Sequence, residues 1–151
     1  DDSVDAAGPL ARAIGLNEDV RSDDEIFSAL GFSPASQTGG DALARLQLRC
    51  DEISQSLKLI AAAGIITAPV LEDIGKVTGK GEATLETPRG AAHLRLALKK
   101  GKIISAKLDT PSTRHVALIE DITAQQELGD ALVAINSLDL SPWEIGAESR
   151  A

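Results

Sequence analysis

The chain has 151 residues, 43% hydrophobic, with a formal net charge of −8. That is enough for one domain with a core, and too apolar for compositional disorder. No run reaches the roughly 18 apolar residues of a spanning helix, and a single cysteine, Cys50, excludes an internal disulfide, a cysteine-rich zinc site and a cysteine-ligated iron–sulfur cluster within the chain.

Aromatics are 2%, so the core must be built from Leu, Ile, Val and Ala. No basic segment leads into an apolar core at the start, so no secretory signal is expected. The absence of Met predicts a piece of a longer polypeptide. Charge is unevenly spread. Residues 1–30 hold eight acids against Arg12 and Arg21, and residues 76–107 hold eight bases against Glu82 and Glu86. A basic segment of that kind either keeps a surface wet or meets an anionic partner.

The first zone, residues 1–40, reads as loop-rich. Gly8-Pro9 turns into a short piece, Leu10–Ile14, that Gly15 ends. Asp23 and Asp24 precede a brief helix over Glu25–Leu30, stopped by Gly31. The second zone, 41–64, is the clearest element. Leu43, Leu46, Cys50, Ile53, Leu57 and Ile60 recur at steps of 3, 4, 3, 4 and 3, which predicts one apolar face of a long helix. Asp41 or Thr38 can cap its start and Gly64 suits its end. Cys50, in that seam, is expected to be a small buried hydrophobe. Arg45, Arg49, Glu52 and Ser56 form a second, polar stripe suited to helix or subunit packing, with Arg49 and Glu52 able to pair across a turn.

The third zone, 65–113, switches to period two. Ala91–Leu98 places Leu94, Leu96 and Leu98 on one side and His93 and Arg95 on the other. Ile103–Asp109 is expected to turn Ile104, Ala106 and Leu108 inward, with Lys99–Lys102 as a hairpin turn and Glu82–Thr87 as a further strand. In the last zone, 114–151, the chain returns to helix. Thr123–Gln126 has the form of a capping box, and Leu128, Leu132, Ile135 and Leu138 make an apolar face. Helix, small antiparallel sheet and C-terminal helix together predict an α+β fold.

Several stretches carry a resemblance. They are Gly8-Pro9, Arg12-Ala13-Ile14-Gly15 and Asp19-Val20-Arg21; then Gly40-Asp41, Arg45, Arg49, Glu52-Ile53 and Gln55-Ser56-Leu57. Glu86-Thr87-Pro88-Arg89-Gly90, Gly101-Lys102-Ile103, Pro111-Ser112-Thr113 and Asn136-Ser137-Leu138-Asp139 follow. In this order they resemble the C-terminal part of the large subunit shared by nickel–iron hydrogenases and respiratory complex I. The Gly-Asp to Gln-Ser helix is similar to the complex I and membrane-bound hydrogenase branch. The resemblance implies that Pro88, Arg89 and Ser112 line a cavity which, in hydrogenases, holds the metals and their diatomic ligands. The positions matching the family's terminal cysteine pair are Ser141 and Glu144. A hydroxyl and a carboxylate do not replace two soft thiolates. The resemblance therefore implies a part of a membrane-associated electron-transfer oxidoreductase, NADH:quinone oxidoreductase-like, that lines a redox or quinone cavity without ligating metal and is not catalytic alone. It implies an iron–sulfur small subunit as partner, iron–sulfur clusters and quinone in the parent complex, and a cytoplasmic place at the inner face of the membrane, held there through other subunits.

Blander readings compete at single residues. Arg89 can tie two segments together through backbone carbonyls. Glu86 can pair with Arg89 or with a helix arginine. His93 and His115 lack metal-ligand spacing. Asp139 and Glu144 have no spacing that fixes an acid–base pair. Trp143 is expected to fold back on the last helix. A nucleic-acid module using the basic strands 76–107 has the charge but no aromatic residues there to stack bases. A hydrolase finds no nucleophile elbow, P-loop or His-Glu-x-x-His.

Overall fold

The computed structural model describes residues 6–70 and 75–145, and the fold is α+β. Helix α1 spans Pro9–Ala13, with Pro at its first position. A 3₁₀ turn, Val20–Asp23, leads into α2, Glu25–Ala29, whose Asp24 side chain accepts from the Ile26 and Phe27 amides. The long helix α3 runs from Ala42 to Ala63. Its cap is Asp41, which accepts from the Ala44 amide, and Gly64 ends it with φ 65°.

Strands β1 (Gly79–Thr87), β2 (Gly90–Lys99) and β3 (Lys102–Asp109) form one antiparallel sheet in sequence order. Thr87 pairs with Gly90, so Pro88 and Arg89 alone make the first turn. In the second turn Lys100 and Gly101 both have positive φ, as a tight right-twisted hairpin requires. Pairing of Ala97 with Ser105 and of Leu98 with Ile103 leaves Ile104 as a bulge. Helices α4 (Pro111–Ala117), α5 (Ile119–Thr123), α6 (Leu128–Ser137) and the short α7 (Pro142–Ile145) follow. The capping box is not used. Thr123 ends α5 and its hydroxyl donates back to the Ile119 carbonyl, while Glu127 precedes α6 without a side-chain cap. Distance from the apolar run decided that outcome, because α6 begins two residues beyond Gln126.

The apolar faces do not lie where periodicity alone would bury them. α3 buries Ala44, Arg45, Leu48 and Leu59, while Leu43, Leu46, Ile53, Leu57 and Ile60 are 58–64% exposed. Cys50 is exposed as well, so it is no core hydrophobe. Hydrophobic spacing marks the face that would gain by leaving water, but here the polar stripe is the one packed against the described fold. The sheet behaves likewise. Register puts Leu85, Leu94, Leu96 and Leu108 on one face, yet Leu85, Leu94 and Leu108 remain exposed, as does Ile104 at the bulge. Ile104, Ala106 and Leu108 therefore do not turn into a core. Leu128 and Leu132 of α6 are exposed too, and only Leu138 of that face is fully buried. Trp143 is 93% exposed and does not fold back.

The core is correspondingly small. Leu10, Leu118 and Leu138 pack together with Ala6, Ile119, Ile122 and Leu140 around them. Burying each leucine stabilises the fold by about 1.5–3 kcal/mol. Ala11, Ala13, Ala44 and Leu48 are buried as well, and polar ties centred on Arg12, which is 1% exposed, fix how the segments are placed.

Backbone contact also fixes the sheet against α1. Gly8 has φ 59°, and a Cβ there would meet the Gly90 Cα at 2.4 Å. Gly8→Ala is therefore expected to cost on the order of 2–4 kcal/mol from overpacking and left-handed backbone strain. Gly31→Ala, with φ 79° and nothing within 4 Å of the new carbon, should cost only about 1–2 kcal/mol of strain. Equal shifts of the two denaturation midpoints would refute the close approach.

Candidate functional site

Two charged clusters flank the turn between β1 and β2. The inner one is built on Arg12. Its Nε and Nη2 donate to Glu52 Oε1 at 3.1 and 2.6 Å, and its Nη1 donates to Glu86 Oε1 at 3.1 Å and to the Glu18 carbonyl at 2.5 Å. Asp19 Oδ2 lies 3.2 Å from the same Nη1. Asp19 also holds Arg21 through a two-pronged contact at 2.9 and 2.6 Å, which raises the Arg21 pKa. Two cations thus face three carboxylates. Burial, and then the Asp19 charge, push the Glu86 carboxyl up, against the pull of Arg12. Of its two expected partners, Glu86 takes a helix arginine, Arg12 of α1, and not Arg89. Glu52 takes Arg12 as well, rather than Arg49. Both pairings bridge segments far apart in sequence, which local spacing does not reveal.

The outer cluster is built on Arg89. The tight Pro88-Arg89 turn directs its guanidinium to the segment between α6 and α7. Nε donates to the Asp139 carbonyl at 2.7 Å and lies 3.3 Å from Asp139 Oδ2, and Nη1 lies 3.4 Å from Glu144 Oε1. Arg49 reaches over from α3, 3.2 Å from Asp139 Oδ2 and 3.5 Å from the Pro88 carbonyl. Asp139 has φ 53° and receives both arginines. Glu144 Oε2 accepts from Ser112 Oγ at 2.5 Å and from the Ser112 amide at 3.4 Å. That places a carboxylate on the unpaired first-turn amides of α4. Ser112 Oγ in turn accepts from the Ser141 amide at 3.2 Å. Pro88, Arg89, Ser112, Ser141 and Glu144 thus converge in one place, although Pro88 and Glu144 stand more than fifty residues apart. Asp139 and Glu144 both serve arginines, which is ion-pair rather than acid–base geometry.

Arg45 lies apart from both clusters. Its Nε donates to Ser137 Oγ at 2.9 Å and its Nη1 to the Gly40 carbonyl at 2.7 Å, and burial lowers its pKa. The polar stripe of α3 therefore contacts three different segments. A cleft of about 430 Å³ opens between the clusters, lined by Arg12, Arg49, Ile53, Leu57, Glu86 and Pro88 among others. His93 is on the sheet, with Nδ1 2.8 Å from Thr84 Oγ1. Lys107 and Arg95 share Asp109. Among the described residues no group of three or more His, Cys, Asp or Glu is arranged to hold a metal ion.

With this geometry in place, comparison with known proteins identifies the family. The model of the respiratory-chain NADH dehydrogenase 49 kDa subunit matches residues 3–68. An NADH-quinone oxidoreductase subunit of Desulfotalea psychrophila is 31% identical over 150 residues, covering 93% of this chain and 40% of that protein. The chain is a complex I 49 kDa-like domain. An NAD(P)H-quinone oxidoreductase subunit of Gloeobacter violaceus is 26% identical over 172 residues, covering 92% of the chain and 44% of that protein. The membrane-bound sulfane sulfur reductase, an archaeal respiratory membrane complex, contains a chain that superposes with a TM-score of 0.83 at 28% identity, over 95% of this chain and 43% of that one. The 49 kDa-like domain therefore spans about two fifths of the length of the relatives it matches. Its likeness extends to the family that includes the hydrogenase large subunit. No helix among the described residues is long and apolar enough to cross a membrane.

The sequence marks His115 only as lacking metal-ligand spacing and does not reveal its burial. It sits in α4, 1% exposed, and neither ring nitrogen has a hydrogen-bond partner in the described residues. Burial lowers its pKa below the ordinary 6.5, with the Ala7 backbone offsetting part of the effect and Arg114 and Arg49 adding to it. No periodic signal marks such a residue, since a seven-residue helix has no face long enough to read.

Two outcomes follow. Arg12→Met leaves Glu52 and Glu86 without their arginine, while Asp19 keeps Arg21, and should cost about 3–5 kcal/mol of stability, read by denaturant unfolding; a loss below about 1 kcal/mol would remove Arg12 as the hub. For His115 the folded chain binds its proton less readily than the unfolded chain. Stability present above pH 6.5 is therefore lost as pH falls from 6.5 through the folded pKa. His115→Gln should flatten that acid limb, and superimposable pH–stability curves would refute the assignment.

Proposed function

We propose that this chain is the C-terminal part of a large subunit in a membrane-associated electron-transfer oxidoreductase of the NADH:quinone type. There it walls a redox or quinone cavity without ligating metal, and on its own it is not catalytic. The observation that carries this reading is the convergence of Pro88, Arg89, Ser112, Ser141 and Glu144, of which Pro88 lines the 430 Å³ cleft, in a chain that matches complex I subunits along nearly its whole length.

A nickel–iron centre does not fit these residues. Ser141 and Glu144 stand at the positions of the thiolates, their donors are hard oxygens, and Glu144 is already shared between Arg89 and Ser112. A carboxylate–guanidinium pair, Glu144 with Arg89, stands there instead. A quinone headgroup fits better. Ile53, Leu57 and Pro88 supply apolar walls, and Arg49 brings N–H donors to the same lining. A quinone, when bound, supplies two-electron, two-proton chemistry. The residues of this chain hold and orient: Arg89 fixes the α6–α7 segment, Asp139 keeps Arg49 at the Pro88 carbonyl, and Glu144 seats α4.

The partner in this reading is an iron–sulfur small subunit, with the clusters lying outside this chain. The domain would sit on the cytoplasmic side, peripheral at the inner face of the membrane through partner subunits. Purification of the parent protein from its source should recover a cluster-bearing small subunit and quinone-dependent turnover. Arg89→Ala in that assembly should lower quinone reduction by about tenfold or more through loss of charge-assisted contacts, with Arg89→Lys restoring little, because only the planar fork spans Asp139 and Glu144. Recovery of the parent without a cluster-bearing partner or quinone-dependent turnover would overturn the proposal.

A further inference from the structure

The two clusters differ in charge balance among the described residues. In the outer one, Arg49 and Arg89 meet Asp139 and Glu144, two cations for two carboxylates. In the inner one, Arg12 and Arg21 meet Asp19, Glu52 and Glu86, two cations for three carboxylates. The surplus negative charge lies in the interior, where the Asp19 and Glu86 side chains are 0% and 3% exposed. A buried carboxylate without its own counter-charge is destabilised, and binding a proton removes that penalty.

The contacts select which of the three takes it. Asp19 has the two-pronged grip of Arg21, the Arg21 amide, and Arg12 beside it. Glu52 receives both Nε and Nη2 of Arg12. Glu86 is held least. Its Oε1 shares Arg12 Nη1 with Asp19 and the Glu18 carbonyl, and its Oε2 meets the Val20 amide at a long 3.4 Å. Its strand partner, Ala91, brings no charge. Burial and the neighbouring Asp19 raise the Glu86 pKa above the ordinary 4.5, against Arg12. Glu86 also lines the 430 Å³ cleft, together with Ile53, Leu57 and Pro88.

We propose that Glu86 holds a proton at neutral pH and delivers it to the group that binds in the cleft. This rests on the reading of that cleft as a quinone site. Two electrons from the partner's iron–sulfur clusters and two protons convert a quinone to its quinol. Glu86 supplies one of the protons. Its Oε2–H bond breaks, the proton bonds to a quinone oxygen, and the carboxylate left beside Arg12 is reprotonated from solvent. The second proton comes from solvent directly.

The parent assembly, as wild type and as Glu86→Gln, provides the test. Gln is the isostere of the neutral acid, so the variant should assemble and unfold at the wild-type denaturant midpoint. The infrared difference spectrum between the two at neutral pH should contain the carbonyl stretch of one protonated carboxyl group, shifted in deuterium oxide. With a short-chain benzoquinone as acceptor, Glu86→Gln should lower kcat by about a hundredfold at similar KM, as for loss of a general acid. Glu86→Asp, again an acid, should restore part of it. Wild-type kcat should fall as pH rises above neutral and Glu86 loses its proton, and the residual kcat of Glu86→Gln should lack that limb. A difference spectrum without the carboxyl band overturns the inference, as does an unchanged kcat. Failure of Glu86→Gln to assemble overturns it too, because the neutral side chain is then not the native form. If wild type reduces quinone in any of those cases, the proposed function stands and the proton donor falls. If wild type shows the band yet reduces no quinone, the proposed function falls and the delivery with it, while the held proton stands.

Discussion

A single buried guanidinium organises this domain. Arg12 draws together the Glu18 carbonyl, Asp19, Glu52 and Glu86, which belong to α1's following loop, α3 and β1. α1 and α3 also bury Ala11, Ala13, Ala44 and Leu48, while Leu10, Leu118 and Leu138 gather in a separate cluster. Buried ion pairs are a poor source of net stability in general, since desolvation offsets much of the attraction. Their value here is positional. With one cation answering carboxylates from three segments, β1 cannot shift along α3 without leaving a charge unpaired in the interior. That fixes where the Pro88-Arg89 turn emerges.

The second cluster depends on that placement. Because the turn is fixed, Arg89 meets Asp139 and Glu144 at the other end of the fold, and Glu144 in turn meets Ser112 at the start of α4. Where relatives of the hydrogenase kind use thiolates to gather metals, this chain uses a carboxylate to gather an arginine and a helix terminus. The β1–β2 turn, α4 and α7 are thereby tied by charge and hydrogen bonds.

Much of the secondary structure was legible in the chain. Asp41 and Gly64 delimit α3, Asp24 caps α2, and the Lys100-Gly101 turn lies where strand alternation breaks. The direction of burial was not. The stripe of Leu43 to Ile60 has the stronger apolar period, yet Ala44, Leu48 and Leu59 face the described fold, where the hydrogen bond of Arg45 to Ser137 and the ion pair of Glu52 with Arg12 tie that side down. Periodicity records what a face would gain from burial, and says nothing about whether the covering element is present. The site shows the same division. Pro88, Arg89, Ser112, Ser141 and Glu144 could be chosen through resemblance, but the partners Arg12, Asp19 and Asp139 join segments through single contacts that leave no repeat in the sequence. The burial of His115 is hidden for a related reason, since it is one polar residue in a helix of seven.

The sheet has two open margins, and their chemistry differs from that of its flat sides. β3 presents Lys102 and Lys107 and is kinked at Ile104, while β1 carries Lys80 between Gly79 and Gly81. Bulges and lysines at a sheet margin impede the addition of further strands. Ribbon-like polymerisation through hydrogen-bonded edges is thus discouraged even where the leucine-bearing side of the sheet stands bare, and any association by this sheet is steered toward stacking on its flat side.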